Sequence, residues 1–93
     1  MWRIDRQSAF RRDFKREKLS GRYKSFDKII VDILTLLASD EPLPEQYSDH
    51  PLTGNWSGFR ECHIKPDLLL IYEKPDAQTL VLARLGSHSD LFW

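Results

Sequence analysis

Three histidines and one aspartate are the residues of this sequence whose types and spacing suit proton transfer. His50, His63 and His88 all lie in the second half of the chain, each beside a predicted turn. Asp67 follows His63 by four residues, with a proline between them. Imidazole has an unperturbed pKa of about 6.5, so both of its forms exist near neutral pH and it can take up or release a proton. The pattern predicts that several strand ends meet at one site of proton transfer.

Cleavage of RNA without a metal is one reaction that such a set would support. It needs a base that removes the 2′-hydroxyl proton and an acid that protonates the leaving 5′-oxygen, and each positioned group contributes about 10²–10⁴-fold. Negative charge building up on the phosphorane calls for guanidinium donors, and the predicted strands supply Arg60 and Arg84. The sequence leaves open which of the histidines and Asp67 is the base and which the acid.

A zinc site is the alternative interpretation of the same residues. Three histidines with an open coordination position suit zinc, and Asp67 would stand beside them. The spacings of 13 and 25 residues between successive histidines are not those of a local metal motif. We therefore expect no metal ion and no other cofactor.

Other side chains near the histidines are weaker candidates. Phe92 follows His88 by four residues, so a C-terminal helical turn would place both on one side. An exposed aromatic ring there would stack on an unpaired base, which is worth about 1–3 kcal/mol, but a ring folded back on the core fits equally well. Glu61 shares a predicted strand face with His63 and would orient it, whereas Cys62 faces the other side and is expected to pack. Trp93 has no predicted role.

Hydrophobic periodicity predicts the helices. Trp2–Ile4 alternate with charged neighbours and indicate a short strand, and a helix begins at Ser8 and ends near Gly21. Ser25 is expected to cap a second helix through its hydroxyl. The apolar stripe that this helix would turn toward the core contains Phe26, Ile29, Ile30, Ile33, Leu36 and Leu37.

The pattern changes after the prolines of Asp40–Pro44. Strands are then predicted at Trp56–Ile64, Leu68–Tyr72 and Leu80–Leu85, separated by turns at 65–66 and 74–76. Short links favour antiparallel hairpins. The expected fold is α+β, with two N-terminal helices packed on one face of the sheet.

Size and composition indicate one globular domain, residues 1–93. The chain is 41% hydrophobic and 30% charged, and its single cysteine excludes an internal disulfide. No apolar stretch approaches the roughly 20 residues that span a bilayer, and no signal peptide is evident, so we expect a cytoplasmic protein without membrane contact.

The net charge of zero conceals an uneven distribution. Residues 1–28 hold ten Lys and Arg against four acidic residues, a balance of +6, and the rest of the chain is at −6. Such a division suggests a basic face for a polyanion or for a partner with acidic segments, and the first helix carries Arg11, Arg12 and Lys15, which the family resemblance described below implies for contact with rRNA. A solvated helix face is the simpler alternative.

Two segments together resemble a known family. "LPEQYSDHPLTGNWSGFRECHIKPDLLLIY" (43–72), followed by "RLGSHSDLF" (84–92), is similar to the YafQ branch of the RelE/ParE toxin superfamily. The resemblance implies a RelE-like fold related to microbial RNases, with a small antiparallel-rich sheet. It also implies a toxin of a type II toxin–antitoxin system, a ribosome-dependent mRNA interferase that cuts mRNA in the A site and inhibits translation.

The resemblance further implies site residues and partners. The catalytic set of YafQ-like members falls on His50, His63, Asp67, His88 and Phe92. Expected partners are the 70S ribosome with its mRNA and a DinJ-like antitoxin of ribbon-helix-helix type, with operator DNA bound only through the antitoxin complex. ParE-like relatives act on gyrase and lack an RNase site, so a non-catalytic binding toxin is the alternative.

Overall fold

Five strands and three α-helices make up the part of the chain that this computed structural model describes, residues 3–39 and 41–92. The elements in chain order are β1 (Arg3–Arg6), α1 (Ser8–Ser20), α2 (Phe26–Leu37), β2 (His50–Pro51), β3 (Arg60–Lys65), β4 (Leu68–Asp76), β5 (Thr79–Gly86) and α3 (His88–Phe92). Two short 3₁₀ turns, Glu45–Tyr47 and Gly54–Trp56, flank β2. The predicted strand residue Trp2 and the residues Asp40 and Trp93 lie outside the described ranges.

One mixed sheet joins all five strands in the order β1-β5-β4-β3-β2. The pairs β2–β3, β3–β4 and β4–β5 are antiparallel, and β1 pairs with β5 in parallel. In the chain, both long helices separate β1 from the antiparallel strands. The strand that pairs with β1 is β5, the last one in the chain. The predicted α+β class with an antiparallel-rich sheet is confirmed.

The two faces of the sheet are covered differently. The long helices cover one face, where the predicted stripe of α2 packs with α1 against the strands; the buried residues are Phe10, Phe26, Ile30, Ile33, Leu37, Cys62, Ile64, Leu68, Leu70, Tyr72, Leu80, Leu82 and Leu85. The second face carries a smaller cluster around Leu69, Ile71 and Leu91. Since side chains alternate along a strand, Glu61 and His63 project from this second face.

Two local predictions are wrong in detail. Ser25 stands at the N-cap of α2, but its hydroxyl makes no capping bond because the residue is left-handed (φ 53°) and not extended. Its carbonyl accepts the Ile29 N–H instead. The predicted turn at 74–76 belongs to β4, where an irregular register between Glu73 and Asp76 accommodates Pro75.

The strand predicted from Trp56 begins later. Trp56 ends a 3₁₀ turn, and β3 starts at Arg60. Gly54 (φ 66°) and Gly58 (φ 94°) take left-handed conformations that bend the chain around the tryptophan, as a hairpin turn requires.

Side chains of α1 form hydrogen bonds with the backbone at the C-terminal end of β5. β1 reaches only as far as Leu82, so the backbone groups of Leu85 face no strand on that side. The Asp13 carboxylate accepts the Leu85 N–H (3.0 Å), and Arg16 donates to the Leu85 carbonyl (3.0 Å). Asp13 is 2% exposed and also binds the Arg84 guanidinium at 2.6 Å. α1 is therefore fixed to the strand that leads into α3.

No helix in the described ranges 3–39 and 41–92 is long and apolar enough to cross a membrane.

Candidate active site

A buried carboxylate on β3 lies between two imidazoles. The Glu61 side chain is 4% exposed, and its Oε1 lies 3.1 Å from Nε2 of His63 and 3.4 Å from Nε2 of His50. His50 is directly opposite Glu61 in the β2–β3 ladder, and His63 is two residues further along β3. The strand period of two thus puts all three groups on the sheet face that α1 and α2 leave open.

Both ring nitrogens of His50 face hydrogen-bond acceptors. Nδ1 lies 3.2 Å from the carbonyl of Pro51, while Nε2 faces Glu61. An imidazole can donate to both acceptors only when both nitrogens carry a proton. The His50 ring is thereby held between the Pro51 carbonyl and the Glu61 carboxylate.

The three imidazoles and Phe92 form a continuous row of rings. Ring centroids are 6.3 Å apart between His50 and His63, 5.9 Å between His63 and His88, and 5.9 Å between His88 and Phe92. The predicted helical turn exists as α3, which begins at His88 and leaves Phe92 41% exposed. Phe92 is thus not folded into the core. The structure brings these four predicted residues together, while their catalytic roles stay predictions.

A capping box fixes the start of α3 and with it His88. The Asp90 N–H donates to Oγ of Ser87, and the Ser87 N–H donates to Oδ2 of Asp90, both at 3.1 Å. The bond from the Ser87 N–H lowers the pKa of Asp90 below its ordinary value, so the carboxylate stays charged. Arg16 lies 3.6 Å from Asp90 and ties the turn to α1.

Gly86 lies where this link passes close to the backbone of β5. A Cβ at Gly86 would lie 2.8 Å from the Arg16 guanidinium and 3.1 Å from Cβ of Asp90. The first distance is shorter than real Cβ contacts, so any side chain at this position would displace the arginine or the capping turn.

Asp67 lies apart from the row in its contacts. It is exposed in the turn between β3 and β4, where its backbone carbonyl faces the Tyr23 hydroxyl at 3.5 Å. Within residues 3–39 and 41–92, no hydrogen bond or ion pair joins its carboxylate to a histidine. The carboxylate that contacts the imidazoles is that of Glu61, and a direct role for Asp67 stays a prediction.

The two strand arginines already have carboxylate partners. Arg84 binds Asp13, and Arg60 binds Asp49 through two nitrogens. These hydrogen bonds raise the pKa of both guanidiniums above the ordinary value. Arg60 alternates with Glu61 along β3 and so projects toward the other face, away from His63. Phosphate binding by either arginine would require sharing donors with an aspartate.

The basic residues predicted on α1 are accessible. Arg11, Arg12 and Lys15 are exposed, and in the part of the chain that the structure describes no ion pair involves them. Lys18 on the same helix pairs with Asp27 at 3.2 Å. A basic strip is thus available on α1, and its role in binding RNA stays a prediction.

One trio of side chains could hold a metal ion. Ligand atoms of His50, Glu61 and His63 all lie within 4.8 Å of one another. Two imidazoles and a carboxylate form a common ligand set for zinc. This trio differs from the alternative that the sequence suggested, because Glu61 takes the place of His88 and Asp67.

Comparison with known protein families identifies the family of this chain. The family described as "Bacterial toxin of type II toxin-antitoxin system, YafQ" matches residues 2–93. The chain belongs to this family. The resemblance in segments 43–72 and 84–92 is thereby confirmed.

Individual members of the YafQ family agree with this assignment. The chain is 36% identical over 89 residues to the mRNA interferase toxin YafQ of Escherichia coli strain B/BL21-DE3, covering 96% of this chain and 94% of the relative. A metal-bound toxin from Helicobacter pylori is 44% identical with a TM-score of 0.85, covering 99% and 100% of the two chains. YafQ in the E. coli DinJ–YafQ complex gives a TM-score of 0.85 at 33% identity, covering 99% and 98%.

Sequence reasoning gave Glu61 too little weight. Its signal is its position: a carboxylate that alternates in phase with His63, in a strand followed closely by the apolar run Leu68–Tyr72. A buried charge needs partners, and histidines on the same face are the ones this chain provides. The partner of Arg60, Asp49, was also missed, because it reaches the arginine only through the fold.

Proposed function

We propose that this chain is the toxin of a type II toxin–antitoxin system and acts as an endoribonuclease, an mRNA interferase that inhibits translation. The observation that carries the proposal is the row of three imidazoles against the buried Glu61 carboxylate, on an open sheet face. The naming of the E. coli relative as an mRNA interferase supports it. The proposed reaction takes place in the ribosomal A site and needs no metal.

In the proposed mechanism, His63 and Glu61 act together as the base. The carboxylate accepts the Nε2–H of His63, which leaves Nδ1 of the neutral ring with the lone pair that can take a proton. The 2′-oxygen gives its proton to this base and attacks phosphorus. The bond from phosphorus to the 5′-oxygen then breaks, which leaves a 2′,3′-cyclic phosphate.

The remaining groups serve the leaving oxygen and the developing charge. His88 is exposed at the start of α3, next to His63, and supplies the proton to the 5′-oxygen. His50, with acceptors at both nitrogens, stabilises the negative phosphorane as a cation. Phe92, exposed beside His88, stacks on a base of the mRNA.

Binding to the ribosome is proposed to use the basic strip of α1. Arg11, Arg12 and Lys15 would face rRNA phosphates, and Arg60 and Arg84 remain candidates for phosphate contacts with the mRNA. Asp67 remains a candidate catalytic residue. The 2′-hydroxyl chemistry restricts cleavage to RNA. The proposed place of action is the cytoplasm, where translation takes place.

The proposed protein partner is a DinJ-like antitoxin of ribbon-helix-helix type. The supporting observation is the E. coli complex of YafQ with DinJ, whose YafQ chain matches this one over nearly its whole length. Operator DNA would be bound only through that complex.

Primer extension on mRNA from cells that express the chain tests the proposal. Wild-type protein is expected to produce cuts within codons of translated messages, and His63→Ala should abolish them. The control is a transcript without a ribosome-binding site, which should stay intact. Intact messages together with supercoiling defects would instead identify a ParE-like binding toxin and overturn the proposal.

Zinc or copper ions are expected to inhibit the purified toxin. An ion held by His50, Glu61 and His63 would take the Glu61 carboxylate from the His63 ring that it orients and would prevent His50 from acting as a cation. Cleavage of mRNA on purified ribosomes should fall with added zinc and recover with a chelator, while the chelator alone has no effect. Activity that is lost to a chelator and restored by zinc would show a metal-dependent hydrolase.

A further inference from the structure

Asp49, the residue before His50, is held by two neighbouring strands. The Tyr72 hydroxyl on β4 donates to its Oδ1 at 2.5 Å, and Arg60 on β3 donates to Oδ2 from Nε (3.2 Å) and Nη2 (3.0 Å). Arg60 and Tyr72 are directly opposite in the β3–β4 ladder. Both oxygens of the carboxylate are thus bonded to the same rung of the sheet.

Tyr72, Arg60 and the Asp49 carboxylate form a clamp in which the two donors keep their protons. Tyr72 is 2% exposed, and burial, together with the bond to Asp49, raises the pKa of its hydroxyl. Arg60 stays charged because its hydrogen bond to Asp49 raises the pKa of the guanidinium. Hydrogen bonds to an ionised carboxylate are shorter and about twice as strong as neutral ones.

The backbone of His50 is held by a short strand pair. Its strand, β2, has only two residues and pairs with β3 at the sheet edge. The segment before it turns sharply at Ser48, which is left-handed (φ 47°). The imidazole side chain is 48% exposed, so packing does not hold it.

Adjacent residues of an extended segment point to opposite faces, which links the clamp to the site. Asp49 contacts Arg60 and Tyr72 on the helix-covered side, and His50 contacts Glu61 on the open side. We propose that Asp49, clamped by Arg60 and Tyr72, is a positioning residue that holds His50 against Glu61. This inference rests on the proposed function for its rate effect, and it gives Arg60 a task other than phosphate binding.

A double-mutant cycle tests the clamp. Tyr72→Phe removes only the hydroxyl and is expected to lower the single-turnover rate of mRNA cleavage about 10- to 100-fold, because small displacements of a catalytic group are costly. In a His50→Ala background the same change should have no further effect. Asp49→Asn should behave like Tyr72→Phe. Equal losses with and without His50 would overturn the proposal.

NMR of the histidine side chains gives a readout that does not depend on cleavage. The ring signals of His50 are expected to shift or broaden in Tyr72→Phe and Asp49→Asn, while those of His88 stay in place. Tyr47→Phe, on a nearby half-buried tyrosine, is the matched control and should change neither rate nor spectrum. Unchanged His50 signals would overturn the clamp, whereas a wild-type protein that cuts no RNA would overturn only the proposed function.

Discussion

Replacing Glu61 with alanine is expected to lower mRNA cleavage by about 10²–10⁴-fold, as much as the loss of a positioned acid or base. Its carboxylate contacts two imidazoles at once, at 3.1 Å and 3.4 Å, and is almost fully buried. Without it, His63 loses the acceptor that orients its ring, and His50 loses the carboxylate that faces its Nε2. The measurement is the single-turnover rate on ribosome-bound mRNA.

Two further variants separate charge from shape at this position. Glu61→Gln keeps the size and one acceptor oxygen but removes the negative charge, so we expect it to restore little activity. Glu73→Ala, on β4, is the control and should retain full activity. A Glu61→Ala protein with near wild-type rates would contradict the mechanism, and a fully active Glu61→Gln would reduce the carboxylate to an orienting role.

Replacing Asp13 with alanine is expected to lower the free energy of unfolding by about 3–5 kcal/mol. The carboxylate is buried and accepts bonds from Arg84, Arg16 and the Leu85 N–H. Its removal leaves the Arg84 guanidinium and the Leu85 N–H without this acceptor. An uncompensated charge of this kind destabilises the folded state strongly. Since small domains have only about 5–15 kcal/mol of stability in all, the variant should be close to unfolding at growth temperature.

Urea unfolding measures this loss, best in a His88→Ala background, in which the proposal expects the chain to lack toxicity. Asp32→Ala is the matched control, because Asp32 pairs with Lys28 on the exposed surface of α2 at 2.8 Å. Such surface pairs contribute at most about 1 kcal/mol. A change below this size for Asp13→Ala would show that the network on β5 contributes little.

The fold was predictable where a pattern is local. The stripe of α2 follows from its 3.6-residue period, and the turn that unites His88 and Phe92 follows from a spacing of four. The sheet order and the parallel β1–β5 pair depend on where the chain returns after two helices, and no local pattern records that.

The site was predictable in its histidines but less so in its carboxylates. Family resemblance indicated His50, His63, His88 and Phe92, and the structure places them in one row. The bonds of Arg60 and Arg84 could not be predicted, because their aspartates are 11 and 71 residues away in the chain. An arginine in a strand gives no sign, from sequence alone, of whether the fold supplies it with a partner.

The hydrogen bonds from α1 side chains to the backbone of β5 also affect whether another strand can pair with this edge. An exposed strand edge is a template for another strand, and that template leads to aggregation or exchange between chains. Asp13 and Arg16 occupy the N–H and C=O of Leu85, so an incoming strand finds no free partner at that point. Asp13 and Arg16 thus protect this end of the sheet against pairing with a second copy of the chain.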